Sequence, residues 1–362
     1  MEDDLRADFA DFLGVNLAVL LIRYLKVHIG QQGALLLSDT VWPIVQLMKM
    51  NWTAQDIPSQ QGRRVLITGA NSGIGFHTAL ELARHGAEII LPARTIEKAT
   101  AAADRIKQAV PNAQIVPEVL DLADLSSVRA FAERILRLYP QPSLDLLINN
   151  AGVMAIPKRQ LTPDGYERQF ATNYLGPFAL TARLFRAVKP VSGSRIVIVS
   201  SSANRVGRID FENLQSERRY SPTSGAYAQS KLADSIFAIE LQRRLTASHS
   251  PIIATAAHPG IAITNLQKSG PGETSLLNPT RIMTALLKPF FTHDASHAAL
   301  PTLYAATAPD ATPGGYYGPN GFQELKGAPA EARIPRMALD PAIAARLWQV
   351  SEQLTGIEFP IA

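Results

Sequence analysis

The chain has 362 residues, 46% of them hydrophobic and 18% charged, with no low-complexity tract. That is enough for a substantial buried core and is the make-up of a globular protein. A formal net charge of +4 with scattered basic residues argues against a nucleic-acid surface, and the absence of cysteine excludes disulfides, thiol catalysis and cysteine-held zinc. Seven histidines without an H-E-x-x-H spacing give no expectation of a catalytic metal, and the cysteine usage suits a reducing, cytoplasmic setting.

Residues 1–60 stand apart. Phe12 to Ile22 is apolar except for Asn16, and a second hydrophobic stretch runs from Gly33 to Met50 around Trp42. Neither reaches the about 20 apolar residues of a membrane-crossing helix, and the acidic start Met-Glu-Asp-Asp is unlike a secretory signal. Three readings stay open for this helical extension: packing on the main domain or on a partner, peripheral anchoring at a membrane surface through residues 1–50, or a start site misplaced upstream of Met48 and Met50. Packing or a start error is preferred to an anchor.

From residue 61 the pattern alternates short β-rich runs with longer helical ones. Strands are expected at Arg64–Thr68, Glu88–Leu91, Gln114–Val119, Leu144–Ile148, Arg195–Val199, Ile252–Ala257 and, briefly, Gly315–Tyr317. Helices are expected over Gly73–His85, Ile96 to about Ala109, Leu125–Leu138, Gly165–Val188 and Gly225–Leu245. This rhythm predicts one doubly wound α/β (Rossmann) domain over 61–362, with a seven-stranded, mainly parallel sheet covered on both faces. The segment 261–292, with Gly270-Pro-Gly and several apolar residues, interrupts the rhythm beyond the sixth strand and is placed to be a substrate lid.

Between the first strand and first helix lies Thr68-Gly-Ala-Asn-Ser-Gly-Ile-Gly75, spaced G-x-x-x-G-x-G. Glycines permit a tight turn and close backbone approach, and the helix N-terminus can face a pyrophosphate; a plain glycine-rich turn is the alternative. At the end of the second strand, where an NAD site carries an acidic residue, the chain reads Leu91-Pro-Ala-Arg94 with Lys98 a turn further on. An arginine there can pair with a 2′-phosphate, so NADP(H) is expected ahead of NAD(H).

Tyr227 and Lys231, in Ala226-Tyr-Ala-Gln-Ser-Lys231, share a helix face at i,i+4. A cation within about 4–6 Å favours a phenolate and lowers its pKa, which suits the tyrosine to general acid–base work.

These motifs together resemble the short-chain dehydrogenase/reductases of the classical type, and within them the retinol-dehydrogenase-like branch. The likeness runs from about Trp52 to the C-terminus through Thr68–Gly75, Asp121-Leu122, Asn149-Asn-Ala-Gly152, Asn173, Ser200-Ser201, Tyr227–Lys231 and Pro259-Gly260 with Thr264. It implies catalytic roles for Asn173, Ser201, Tyr227 and Lys231: Tyr227 as general acid or base, Lys231 on the nicotinamide ribose, Ser201 polarising the substrate oxygen, and Asn173 anchoring a water in a relay to Lys231. Motif register favours Ser201, with Ser202 as its alternative. The likeness places Gly69, Asn71, Ser72, Gly73, Ile74 and Gly75 at the cofactor with Arg94 and Lys98. Asp121 and Leu122 fall at the adenine, Asn149, Ala151 and Gly152 beside its ribose, and Pro259, Ile261 and Thr264 at the carboxamide.

Asp121 can also be read as a loop cap, Asn149 and Asn150 as turn formers, and Asn173 as a buried partner of backbone. The long segment between Ser201 and Tyr227, with Arg205-Val-Gly-Arg and Glu217-Arg-Arg-Tyr220, also fits the retinol-dehydrogenase-like branch. The expected activity is NADP(H)-dependent interconversion of a carbonyl and an alcohol on a lipophilic small molecule. The alternatives are a dinucleotide-binding sensor and a reductase of carbon–carbon double bonds. The resemblance also implies a homo-oligomer through the two long helices.

Overall fold

Strands and helices alternate through the described part of the chain. The computed structural model describes residues 51–261 and 294–361. The expected lid, Thr264 and nearly all of the amino-terminal extension, with Met48 and Met50, lie outside the described residues. The chain divides into two units, Met1–Asn51 and Trp52–Ala362, and the second carries the fold.

Its strands are β1 (Arg64–Ile67), β2 (Glu88–Ala93), β3 (Ile115–Val119), β4 (Leu146–Asn149), β5 (Arg195–Val199), β6 (Ile253–Ala257), β7 (Tyr316–Pro319) and β8 (Pro329–Glu331). The main helices are α1 (Gly73–Arg84), α2 (Ile96–Ala109), α3 (Leu125–Leu138), α4 (Gly176–Leu184), α5 (Ala228–Ala247), α6 (Leu300–Thr307) and α7 (Pro341–Thr355). The sheet order is β3-β2-β1-β4-β5-β6-β7-β8, parallel through β7. The doubly wound architecture is therefore present, with one strand more than the seven expected. The extra strand, β8, pairs antiparallel with β7. It is three residues long, too short for a periodic signal, and it opens on Pro329, which a sheet tolerates at an edge.

Alternate residues of each inner strand feed two cores. Val65 and Ile67 of β1, with Leu146 and Ile148 of β4, pack on one face with residues of α1, α2 and α6, whereas Leu66 and Leu147 point to the face covered by α3, α4, α5 and α7. Burial on both faces is why these strands read as unbroken apolar runs. Arg195, at the start of β5, is buried yet satisfied: its guanidinium donates to the carbonyls of Ala305 and Ala308 at the end of α6, 3.0 and 2.8 Å away.

The two long helices differ from expectation in a way that bears on the site. The first does not span Gly165–Val188. Gly165 turns through left-handed backbone (φ 83°), and Glu167 caps a helical turn at Arg168–Phe170 by accepting from the amides of Gln169 and Phe170. A π turn over Ala171–Leu175 then leads into α4. Pro177 accounts for the widening: it has no N–H for the carbonyl of Asn173, four residues back, and its ring crowds that carbonyl. A second π turn, Pro222–Tyr227, opens the helix that continues as α5.

Helix α5 is buried on nearly every side. Trp348 of α7 and Phe359 of the carboxyl-terminal tail lie against Phe178 of α4 and Phe237 of α5, with ring centroids 5.3–6.2 Å apart. The Tyr174 hydroxyl meets Ser351 at 2.6 Å. At that place the two long helices meet their own carboxyl-terminal segment.

Candidate active site

In an open parallel sheet, the carboxyl ends of β1 and β4 flank the point where strand order reverses, and the crevice there is where ligands bind. The loop after β1 enters it through Gly69, in left-handed backbone (φ 70°), and continues through Asn71 and Ser72 to α1 at Gly73. Gly75 lies so close to its surroundings that an added Cβ would sit 2.5 Å from the Gly69 carbonyl oxygen and inside contact distance of the Asn150 amide nitrogen. Ser72, at the N-cap of α1, makes no side-chain capping bond, so the first amides of the helix stay open. Ile74 half-packs against the core below.

The loop after β4 braces this turn. Asn150 donates from its side chain to the Thr68 carbonyl (2.9 Å), and the amides of Asn150 and Ala151 both donate to the Thr68 hydroxyl at 3.0 Å. Asn149 is directed away, its side chain buried and bonded to the Thr181 hydroxyl at 2.9 Å. An uncapped helix start beside a cradle that a single Cβ would fill fits a dinucleotide pyrophosphate.

Arg94, immediately after β2, is exposed, as is Lys98 one turn into α2. Asp121 caps its own turn by accepting from the Ala123 amide (2.9 Å), and Leu122 is buried under the start of α4, where its carbonyl would clash with a Cβ added at Gly176.

The chemical groups gather where β5 meets α5. Of the three serines after β5, Ser200 is buried and committed, donating to the Lys231 carbonyl at 2.6 Å and meeting Ser235 at 3.0 Å. Ser201 is half-buried and accepts from the Ala203 amide at 3.2 Å, and among the described residues its hydroxyl proton has no acceptor. Tyr227 is 8% exposed, and among the described residues its hydroxyl has no hydrogen-bond partner.

Lys231 is buried and donates to the Val199 carbonyl (2.9 Å) and to Asp234 Oδ2 (2.8 Å). Burial pulls the ammonium pKa down, but Asp234 and Tyr227 outweigh that and leave it above the ordinary lysine value. Burial pushes the Asp234 carboxyl up to about 7 against the pull of Lys231. Both shifts favour the protonated forms, so the pair passes from a net cation to neutral as pH rises through this range.

Asn173, in the first π turn, spends its side chain on structure. Oδ1 accepts from the Val153 amide at 2.7 Å, and Nδ2 donates to the Val153 carbonyl and the Ser230 hydroxyl, both at 2.9 Å. It ties the β4 loop to α5, and one lone pair of Oδ1 is left for a further donor. A Cβ on Gly152 would lie 3.3 Å from that Oδ1 and 3.5 Å from Lys231 Nζ, so the β4 loop, Asn173 and Lys231 converge.

After β6, Pro259 and Gly260 turn the chain, and the Ile261 amide donates to the Leu325 carbonyl at 3.0 Å. His258 is fully buried with Nε2 2.9 Å from Glu324 Oε2, and Glu324 also pairs with Arg205. Burial lowers the His258 pKa, partly countered by Glu324.

The sequence reading overlooked three contributors. Asp234 is a lone acidic residue in the apolar run Leu232-Ala-Asp-Ser-Ile-Phe237, a signal that was legible. Glu324 meets His258 across 66 residues, which leaves no local trace. Gly207, of the Arg205-Val-Gly-Arg stretch, lets the Ser201 loop approach α5: an added Cβ would press on the Ala228 carbonyl and lie 3.0 Å from Leu232 Cβ. Gly207→Ala is expected to push the Ser201 loop away from α5 and to destabilise the fold by about 1–3 kcal/mol, as thermal denaturation would show.

Comparison with known proteins identifies the family. The family model described as short chain dehydrogenase matches residues 63–273. Human retinol dehydrogenase 13 is 40% identical over 328 residues, covering 89% of this chain and 94% of its own, and mouse retinol dehydrogenase 14 is 39% identical, covering 82% and 86%. Among solved structures, an uncharacterized protein from Mycobacterium paratuberculosis aligns with a TM-score of 0.69 at 42% identity, over 86% of this chain and all of that one. A Burkholderia cenocepacia short chain dehydrogenase in complex with NADP shares the fold, with a TM-score of 0.52 at 23% identity over 71% and 95%. The chain belongs to the short-chain dehydrogenase family, in its retinol-dehydrogenase-like branch, and is an oxidoreductase that interconverts alcohols and carbonyls with a nicotinamide dinucleotide.

Proposed function

We propose that the protein is an NADP(H)-dependent carbonyl reductase or alcohol dehydrogenase acting on a lipophilic small molecule. The observation that carries this is the buried Lys231 ammonium, which donates to the Val199 carbonyl two residues before Ser201, interacts electrostatically with Tyr227 and lies beside Gly152 in the β4 loop that braces the glycine cradle. The nicotinamide supplies the hydride. Tyr227 gives its proton to the substrate oxygen in reduction and takes it back in oxidation, and Ser201 donates a hydrogen bond to the same oxygen as charge develops there. Lys231 holds positive charge beside Tyr227 and keeps one N–H for the cofactor ribose. Asn173 fixes the β4 loop against α5 and offers its remaining lone pair to a relay water.

Exposed Arg94, with Lys98 beside it, supports the phosphorylated cofactor. Arg94→Glu is expected to weaken NADPH about ten- to a hundredfold while leaving NADH nearly unchanged, the range of a lost charge-assisted hydrogen bond. Equal loss for both cofactors in fluorescence titrations would remove Arg94 from the 2′-phosphate.

The lipophilic substrate class rests on the branch and on the residues that follow the strand ends. Val206 and Phe322 are 68% and 75% exposed, and Arg205 beside the first donates to the carbonyl of Gln323 beside the second. The named relatives are retinol dehydrogenases, which makes retinoid-like aldehydes and alcohols the first compounds to test. A screen of aldehydes, ketones, quinones and retinal, followed by the absorbance of NADPH, is expected to reveal turnover. Failure of NADPH to bind would overturn the proposal. Membrane-surface binding through residues 1–50 is tested by fractionating the whole chain against one starting at Met50. Among the described residues, no helix is long and apolar enough to cross a membrane.

A further inference from the structure

We infer that Asp234 is a positioning residue for catalysis, the charge partner that holds the Lys231 ammonium and sets how strongly it acts on the Tyr227 phenol. This rests on the reading of Tyr227 as the proton-transfer group. The carboxylate lies 2.8 Å from Nζ, one helical turn along α5, and the two side chains are only 2% and 5% exposed. A carboxylate so buried is costly to keep unless something pairs with it, and Lys231 is its hydrogen-bond partner among the described residues.

Two of the three ammonium donors are therefore fixed by protein, one on Val199 and one on Asp234. The Asp234 bond does more than orient the side chain. An ammonium paired with a carboxylate presents a dipole to its neighbours, and a dipole's field falls off faster than that of a lone cation. With Asp234 ionised, Lys231 pulls weakly on the phenol; with Asp234 protonated, it pulls as a full positive charge. Tyr227 thus senses the state of a group it does not touch.

The titratable groups facing Asp234 among the described residues are Lys231 on its own helix and Tyr174 from the Ala171–Leu175 turn. Tyr174 is kept neutral by burial, its hydroxyl on Ser351, so it does not compete for charge. Burial lifts the carboxyl toward neutral pH, so the change falls in a range where an enzyme works.

The test reads the phenol directly and needs no substrate, which separates it from the outcome of any activity screen. The full chain is labelled with tyrosine carrying carbon-13 at Cζ, and the Tyr227 signal is assigned by its loss in Tyr227→Phe. In the unsubstituted protein this signal is expected to take a small step as Asp234 ionises, below the main phenol titration. In Asp234→Asn, which keeps an acceptor for Lys231 but removes the charge, the step vanishes and the phenol titrates about one pH unit lower. A phenol that titrates at the same pH or higher in Asp234→Asn would make the contact structural only and overturn the inference. Should the variant fail to fold, the unsubstituted protein decides alone, since a Tyr227 signal flat through the neutral range is equally fatal.

Discussion

Tyr227→Phe is expected to lower kcat by about a thousandfold while changing NADPH affinity less than about twofold, measured by initial rates beside a fluorescence titration. The substitution removes one oxygen and keeps the ring, which is packed to 8% exposure at the junction of the second π turn and α5. No hydrogen bond is broken, because the hydroxyl has no partner among the described residues, so folding should be unaffected. On the proposed mechanism, what is lost is the proton that reaches the substrate oxygen as it gains charge. Ser201 can still donate a hydrogen bond there, which is why residual turnover should remain. Lys231→Met makes the instructive contrast. It strands Asp234 as an unpaired buried carboxyl and removes the donor left for the ribose, so both kcat and cofactor affinity should fall and stability with them. Retention of turnover in Tyr227→Phe would move the proton donor elsewhere.

The parts of this site that the sequence displayed are those held by local rules. The glycine loop, the apolar strands and the Tyr227–Lys231 spacing each depend on residues a few positions apart; the loop follows β1, and Lys231 bonds to Val199, the last residue of β5. The family too was legible, because its motifs recur in a fixed order. Contacts made at a distance were not. Thr68 and Asn150 join across 82 residues to brace the cradle, and Asn173 meets Ser230 across 57. The π turns hid for another reason: a helical periodicity survives one inserted residue, so the stretch from Gly165 to Val188 reads as one helix although Pro177 interrupts its bonding. β8 carried too few residues to declare itself.

Gly75→Ala is expected to weaken NADPH binding about a hundredfold and to destabilise the fold by about 1–3 kcal/mol, the usual cost of forcing a methyl into a packed site. The added carbon meets two obstacles of different kinds. The Asn150 side chain can move, though only by giving up its bond to the Thr68 carbonyl, which holds the β4 loop to the glycine turn. The Gly69 carbonyl, 2.5 Å from the new carbon, is backbone and cannot yield without reshaping the turn that leads into α1. The two can be separated by a double-variant cycle read by thermal denaturation and NADPH titration. If the amide were the main obstacle, Asn150→Ala would restore binding in the Gly75→Ala background. Because the carbonyl is the harder limit, the double variant should recover less than about tenfold of the loss. Full recovery would instead show that the turn can relax, and the cradle would then owe its shape to Asn150 more than to the absence of a side chain at position 75.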